Sequence, residues 1–578
     1  MKRTITISIL LAVTTLAMAQ SAAPLSYMYD AFSYGSNNYY GTARSIALAN
    51  AMTAVGGDMG SVNINPAGSA VATYGQFVIS PGLTLSTMSS SYSALGNSPA
   101  SGSNSDRNAN VNLPNIAVSI ISETGRASGV RNHAFGITVN QSQNYNMYFL
   151  AGGQNSYTSL LAEYARAADG FSHDALNDYD TGVSWDLVSG YRGRLFGGIG
   201  DNHYAGNNER DMYDFFAIPA ALRQTYSVTV AGTKTDLVFN YGLNVSDRFF
   251  FGVNLGMPIL KQSYLEAYYE SPLNGYENFY ICLPDRDGYD VDTYYTGSSY
   301  KFNKAVSGTG IYAKVGVIFL PVTNLRIGAA IQSPTLFSVT ETMRYSAASN
   351  YENASCNASS VSPVDEWSFN MRSPFSFNVG AAYTFGQRGF LSVDYELTDY
   401  STIRMSELGQ IGYNSESDYF YMVNQTSSRF GGCSHSMRVG GEFKVNPAIS
   451  IRAGYSFTTS PEKYYTDATD SRIKVTADDF YYNMPMWAGR LSSPHYYGDK
   501  NTSFSLGAGY SSPGAFFADI AFRMNKYPSK TYMPYYDYNH YDINGEWHEV
   551  GTGSVEYSPR VYTDRKLFDF ALTLGWRF

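Results

Sequence analysis

Nucleophile and metal chemistry would be carried by the histidines, serines and cysteines, so their spacing comes first. His133, His173, His203, His435, His495, His540 and His548 lie far apart, and His435 between Ser434 and Ser436 is the single arrangement that puts a base beside a hydroxyl, as a barrel lipase or deacylase would require. No His-Glu-x-x-His, Walker loop, Gly-x-Ser-x-Gly elbow or paired metal-ligand spacing occurs. The expectation is no catalytic residue, no metal and no cofactor. Cys282, Cys356 and Cys433 are too few and too widely spaced for a disulfide framework. A Cys282–Cys356 bridge is open to the chain in an oxidising compartment.

The ionisable residues point elsewhere. Lys314, Arg326, Asp394, Glu396, Arg438, Glu442, Arg452, Asp519, Arg523, Asp569 and Arg577 each fall on the polar side of a segment whose alternate residues are apolar. Charges of both signs at such positions are tolerated where they meet water or one another, so they read as a hydrated, salt-bridged wall. The net charge is -9 and the Lys and Arg residues are scattered. That leaves no cationic footprint for nucleic acid.

The elements holding these side chains are strands. The chain has 578 residues with 53 Gly, 51 Tyr and 33 Phe, and only 15% are charged, where ~25% is usual. A mean hydropathy of -0.23 fits strands with one face toward lipid and the other toward a polar lumen. At the C-terminus Phe568, Phe570, Leu572, Leu574, Trp576 and Phe578 share one face, with Asp569, Ala571, Thr573, Gly575 and Arg577 opposite. Leu237–Val245 and Phe249–Met257 alternate in the same way around Ser246-Asp247, a tight hairpin turn. Similar short turns fall at Pro321–Asn324, Gly386–Gly389, Asn446-Pro447 and Ser512–Gly514.

Between these hairpins the connections are long: Ser89–Asn110, Leu150–Lys234, Ser263–Val306, Tyr345–Trp367, Ser406–Gly432, Pro461–Asn501 and Tyr527–Asp564. Short and long connections alternate, as in barrels with short periplasmic turns and long extracellular loops, and the count of about 14 strands is even, as closure demands. The fold class expected is therefore all-β, a transmembrane antiparallel β-barrel over residues 76–578. Met1-Lys2-Arg3, the apolar Ile5–Leu16 and Ala17-Met18-Ala19 have the form of a signal peptide over residues 1–19, cleaved near Ala19/Gln20. No other apolar run approaches the ~20 residues of a spanning helix.

Residues 20–75 do not alternate. Thr42–Val55 is rich in Ala, with Leu48, Met52 and Val55 at helical spacing and Gly56-Gly57-Asp58 after it, which predicts one short helix with a glycine stop. Asn65, Pro66, Ala67 and Gly68 then form a compact turn before the first strand. Thr42-Ala43-Arg44-Ser45, this helix, Gly56-Gly57-Asp58 and Asn65-Pro66-Ala67-Gly68 together resemble the N-terminal hatch of the FadL/TodX family of outer-membrane hydrophobic-compound transporters, in its longer Bacteroidetes form. The Asn-Pro-Ala triplet is a weak pattern alone; its place between a glycine-stopped helix and the first barrel strand makes it specific.

The resemblance implies a small helical hatch plugging the lumen. It further implies a long-chain fatty acid or aromatic hydrocarbon as ligand, collected outside, passed to an inner site and released sideways through a kink in the third strand. Gln141 and Gln143 interrupt the apolar series Phe135, Ile137, Val139 and mark the position of such a kink or bulge; the alternative is that the strand has risen above the lipid by then. Tyr157, Leu160, Leu161 and Tyr164 form an apolar stripe at helical spacing, suited to a ligand groove or to a helix capping the barrel. The partners expected are a hydrophobic small molecule, outer-membrane lipid and lipopolysaccharide, and the barrel-assembly machinery through C-terminal Phe578. Relatives of this barrel also serve as surface components of a protein-secretion pathway, and the Tyr-rich stretches Tyr289–Tyr300 and Tyr532–Tyr541 would suit that role. A general porin fits less well, since a hatch blocks passive flow.

Overall fold

Alternate side chains along each long strand turn to opposite faces, and the chain closes those strands into a cylinder. The computed structural model describes residues 23–94, 101–212, 215–408, 420–462, 500–532, 534–535 and 559–578. The expected signal peptide, most of Pro461–Asn501 and of Tyr532–Tyr541, and His495, His540 and His548 lie outside the described residues.

The wall is a closed antiparallel barrel of 14 strands. In chain order they are β1 (Gln76–Ser93), β2 (Gly102–Glu123), β3a (Val130–Asn144) continued by β3b (Met147–Asn155), β4 (Leu222–Val245), β5 (Phe249–Pro272) and β6 (Asp290–Val322). Then follow β7a (Leu325–Gln332) with β7b (Leu336–Tyr351), β8a (Asp365–Arg372) with β8b (Ser376–Thr384), and β9a (Gly389–Asp399) with β9b (Arg404–Glu407). The last five are β10 (Cys433–Lys444), β11 (Ile449–Thr459), β12 (Lys500–Ser511), β13 (Phe516–Lys526) and β14 (Arg560–Arg577). Pairing of Gln76 with Arg577 and of Ser93 with Arg560 closes the cylinder. Closure leaves no sheet edge, the condition for strands in hydrocarbon.

The outward face is a belt of exposed apolar residues: Phe249, Phe251, Val253, Leu255, Met257 and Ile259 on β5, and Phe570, Leu572 and Trp576 on β14. Asn254 on β5 and Asp569 and Thr573 on β14 are buried inside. No helix among the described residues is long and apolar enough to cross a membrane.

Strands and loops divide differently from the sequence expectation. Residues 263–306 were expected to be loop, yet β5 runs to Pro272 and β6 begins at Asp290, with Glu270 opposite Ser298. Above the lipid a strand no longer needs an apolar outward face, so its alternation fades while its hydrogen-bond ladder continues. Thr42–Val55 is also not one helix. Helix α2 is Ala43–Ala47, and Ala49 and Asn50 then take positive φ of 51° and 61°. Asn50 Nδ2 donates to the Tyr39 carbonyl at 2.6 Å and the Ala49 amide donates to Ser505 Oγ at 3.1 Å. Bonds to neighbours outside the helix replace the next helical turn. An unexpected helix, α1 (Ala23–Gly35), precedes it.

Candidate functional site: the N-terminal segment, its cradle and the third strand

The segment before β1 is buried along most of its length, with Met28, Ala31, Tyr34, Ile46, Leu48, Met52, Ile64 and Ala67 at or near zero exposure. A chain inside a barrel must give its backbone groups partners other than water, and inward side chains of the wall supply them. Lys314 Nζ donates to Asn63 O at 2.9 Å, Arg326 Nη1 to Val55 O at 2.6 Å, Asn240 Nδ2 to Pro66 O at 3.0 Å, and Ser505 Oγ to Ala47 O at 3.0 Å. The Thr53 amide donates to Asp394 Oδ2 at 2.7 Å.

Two residues beyond several of these anchors stands an inward glycine. Gly242 faces Ser69 and Ala70, Gly316 faces Asn65, Gly328 faces Thr53, and Gly507 faces Ala47; a Cβ at any of them would overlap the hatch. Gly440 against Leu48 and Gly454 against Ala49 continue this cradle, following Arg438 and Arg452. The sequence therefore carries a repeated polar-x-Gly unit: Asn240-Tyr241-Gly242, Lys314-Val315-Gly316, Arg326-Ile327-Gly328, Arg438-Val439-Gly440, Arg452-Ala453-Gly454 and Ser505-Leu506-Gly507. Asn240, Lys314, Arg326 and Ser505 bond backbone carbonyls of the N-terminal segment, Arg438 and Arg452 hold wall carboxylates, and every unit leaves a gap on the lumen face. Sequence reading found the charges and missed the glycines beside them.

The turn residues singled out by sequence lie at the centre of this contact. Asn65 caps a short 3-10 turn, Pro66–Val71, by accepting from the Ala67 amide at 3.1 Å. Its Nδ2 donates to Thr53 O at 2.7 Å and to Val317 O of β6 at 3.2 Å. Pro66 sits at the first position of the turn, where a missing amide costs nothing. Gly68 packs against Gly56 and Ser61, and its carbonyl accepts from the Gly57 amide at 2.8 Å.

Many of the inward charges form ion pairs. Glu442 accepts from Arg44 Nε of α2 at 2.9 Å and from Arg452 Nε at 2.7 Å, Arg452 reaches Asp519 at 2.5 Å, and Arg523 pairs with Asp569 at 2.9 Å. Arg438 pairs with Glu396. On this part of the wall ion pairs join Arg44, Glu442, Arg452 and Asp519, Arg438 with Glu396, and Arg523 with Asp569, while Lys314, Arg326 and Asp394 bond backbone groups of the N-terminal segment.

In the third strand the wall's ladder breaks. β2 pairs with β3a from Glu123–Asn132 up to Asn115–Asn140, and beyond that point β2 pairs only with β1. β3a has a bulge between Gln141 and Gln143. There the N-terminal segment supplies the missing partner: the Asn38 amide donates to Ser142 O at 2.8 Å and the Tyr40 amide to Gln141 O at 3.2 Å. Asn38 Nδ2 reaches Gln143 Oε1 at 3.0 Å, and Gln143 Nε2 reaches Ser36 Oγ at 2.8 Å. Gln141 is buried, its Oε1 accepting from Asn112 Nδ2 of β2 at 3.0 Å.

Above the hatch the lumen is filled by aromatic side chains. Tyr27 of α1 meets Phe420 and Phe369 edge-on at 5.3 and 5.9 Å, and Phe149, Tyr226, Tyr268, Tyr295 and Tyr300 extend the cluster. A polar cavity of about 40 Å³ lies between the end of α1 and the wall, with Lys234, Asp236, Tyr312 and Glu396 on its lining. It has room for roughly one water molecule.

No protein-family model and no curated protein matches the sequence. Among solved structures, a Pseudomonas aeruginosa FadL homologue aligns at 11% identity over 94% of this chain and 100% of its own, with a TM-score of 0.45. The P. putida toluene transporter TodX aligns at 11% over 94% and 99%, TM-score 0.45, and the Ralstonia pickettii toluene transporter TbuX at 13% over 94% and 99%, TM-score 0.41. The chain is similar to FadL-type channels.

The remaining candidates distribute unevenly over the barrel. Leu160, Leu161 and Tyr164 are buried in the aromatic cluster on helix α3 (Leu160–Ala168), whereas Tyr157 is exposed, so the four do not line one open groove. Tyr164 packs on Tyr300 at 5.2 Å, which makes α3 part of a cap. Beneath it Glu270, near the loop end of β5, accepts from the Leu160 amide at 3.3 Å, Gln224 Nε2 at 3.0 Å, Asn208 Nδ2 at 2.5 Å and Tyr268 OH at 3.2 Å, as well as from Ser159. A crossing of ~9–11 residues beginning at Phe249 ends near Ile259, so Glu270 stands outside the membrane. Burial outweighs its donors and pushes the Glu270 carboxyl up to about 7.

Ser434 Oγ donates to Thr459 O and Ser436 Oγ pairs with Thr458 Oγ1 on the inner face, while His435 is exposed and bonds Tyr395 OH at 2.7 Å. Consecutive strand residues point to opposite faces, so the nucleophile-and-base reading fails on geometry. The Cys282–Cys356 bridge also does not form. Cys282 is exposed opposite Asp292 and Cys356 is buried in a 3-10 turn.

Proposed function

We propose that this chain is an outer-membrane channel for hydrophobic small molecules, of the long-chain fatty acid or aromatic hydrocarbon class, in which residues 20–75 act as the hatch and ligand leaves sideways through the third strand. The observation that carries the proposal is the backbone pairing of Asn38 and Tyr40 with Ser142 and Gln141 where the β2–β3a ladder stops. A hatch that completes the wall where this ladder stops couples hatch movement to a lateral route.

An apolar ligand gains ~0.8 kcal/mol per buried methylene, so an aromatic upper lumen followed by lipid suits it better than a watery pore. On this reading the long connections are extracellular, and Phe578, exposed at the end of β14 with its amide on Gly75 O at 3.0 Å, is the signal for barrel assembly. Lipid and lipopolysaccharide surround the belt. The test is uptake of labelled oleate and toluene by cells with and without the protein. Equal uptake by both strains counts against transport.

A second reading, a surface component for protein secretion, has its own support in the exposed Tyr280 and Tyr289 beside the β6 arm. Co-purification of secreted proteins with the barrel, lost on removal of residues 276–289, would favour it.

A further inference from the structure

The outer wall of the barrel is not uniformly convex. Between β9a and β1 lies an apolar groove of about 1410 Å³, beyond the ~300–1,000 Å³ usual for small-molecule pockets. Its floor is made of small lipid-facing residues, Gly441, Ala453 and Ala508, and Phe443, Ile520 and Phe570 stand along its sides. Ladder partners trace its course: Leu391 opposite Gly441, Gly441 opposite Ala453, Ala453 opposite Leu506, Leu506 opposite Phe522, and Phe522 opposite Phe570. Leu391 follows its short turn closely, whereas Phe570 lies well inside the apolar belt. Because barrel strands tilt by ~35–45°, such a row climbs from the short-turn rim into the hydrocarbon.

The lower end of the groove is cationic. Arg388 lines it from the turn before β9a, and Lys444 at the end of β10 is tied to it by the Lys444 amide donating to Arg388 O at 2.8 Å. Both side chains are exposed. The neighbouring short turns, Phe385–Arg388, Val445–Ala448 and Ser512–Ala515, contain no Asp or Glu, and Glu442 is turned inward onto Arg44 and Arg452. Two exposed cations, Arg388 at the foot of the groove and Lys444 on the adjoining strand end, below a long apolar groove match a phosphate with attached acyl chains.

We propose that this groove binds one diacyl glycerophospholipid of the inner leaflet, its phosphate on Arg388 and Lys444 and its acyl chains across Gly441, Ala453 and Ala508. This rests on the reading that the short turns face the periplasm, which puts the inner leaflet at that end.

The test is native mass spectrometry of the full-length barrel released from detergent after incubation with phosphatidylglycerol, with purified lipopolysaccharide as a parallel arm. The expected result is one retained phosphatidylglycerol, with retention falling at least tenfold in R388Q/K444Q and in A453F, and heat-modifiability on gels unchanged. Where A453F fails to assemble, the charge variant alone decides. Equal retention by R388Q/K444Q, a non-saturating ladder of bound lipids, or preferential retention of lipopolysaccharide overturns the proposal. Uptake of hydrophobic compounds by R388Q/K444Q separates the two readings: normal uptake with lipid lost leaves the transport proposal standing, and lost uptake in wild-type cells with lipid retained strikes only the transport proposal.

Discussion

Asn65 and Gly316 face each other across the hatch–wall boundary, and each has the side chain the other requires. Asn65 needs its amide to reach Val317 O at 3.2 Å and Thr53 O at 2.7 Å, and Gly316 leaves the space that the amide occupies. Gly316→Val should displace the hatch while the outer wall stays closed. Asn65→Ala should act in the same direction more weakly, by ~1–3 kcal/mol, because it strands a buried carbonyl and the Ala67 amide. Limited proteolysis within residues 42–72 should appear in both variants, with gel heat-modifiability retained. Protection equal to wild type would show that this pair does not hold the hatch.

Glu442 carries two cations, so its loss should cost more than the loss of either. Glu442→Gln leaves Arg44 and Arg452 without their shared carboxylate, although Arg452 keeps Asp519; removing one partner of a buried pair costs ~3–5 kcal/mol. Arg44→Gln leaves Glu442 paired with Arg452. The midpoint of the heat-induced gel shift should therefore fall further in E442Q than in R44Q. The reverse order would mean that the pairs do not govern stability.

How much of this was legible in the sequence depends on how far each element is specified locally. The faces of β14 follow from Asp569 alternating with Phe570 and Leu572, and the short turns from their Gly, Pro and Asn residues. The arms of β5 and β6 above the belt were hidden, because Glu266, Tyr268 and Glu270 line one face while Lys261, Ser263 and Leu265 form the other, with no apolar period to mark a strand. In the N-terminal segment the compact turn was legible at Asn65-Pro66-Ala67-Gly68, which caps itself. The segment was illegible at Leu48–Val55, where Ser505 and Asp394 from distant strands replace a helix that composition favours. The glycine cradle becomes readable only once the strand face toward the hatch is known.

Removing the bulge should straighten the third strand. Deletion of Ser142, the extra residue between Gln141 and Gln143, should let β3a continue its ladder and take from Asn38 and Tyr40 the carbonyls they now bind. Uptake of a labelled hydrophobic compound should fall at least tenfold with surface expression unchanged. Unaltered uptake would place the exit elsewhere.

Glu270 makes the cap sensitive to pH. Its folded carboxyl is raised to about 7, so folding favours the protonated form. The contribution is complete below the usual carboxylate range, declines as pH rises toward 7, and is spent above it. Amide exchange at Leu160 and Leu161, corrected for intrinsic rate, should be slower at pH 5 than at pH 8. In Glu270→Gln the difference should vanish; a difference that persists would assign the effect to another group.

The central claim is that the hatch gates a hydrophobic route through this barrel, and a disulfide across the Asn38–Ser142 contact tests it most directly. Asn38→Cys with Ser142→Cys, in a background with Cys282, Cys356 and Cys433 replaced by serine, should transport labelled oleate or toluene when reduced and lose at least nine-tenths of that uptake when oxidised. Full uptake in the oxidised, cross-linked barrel would contradict it.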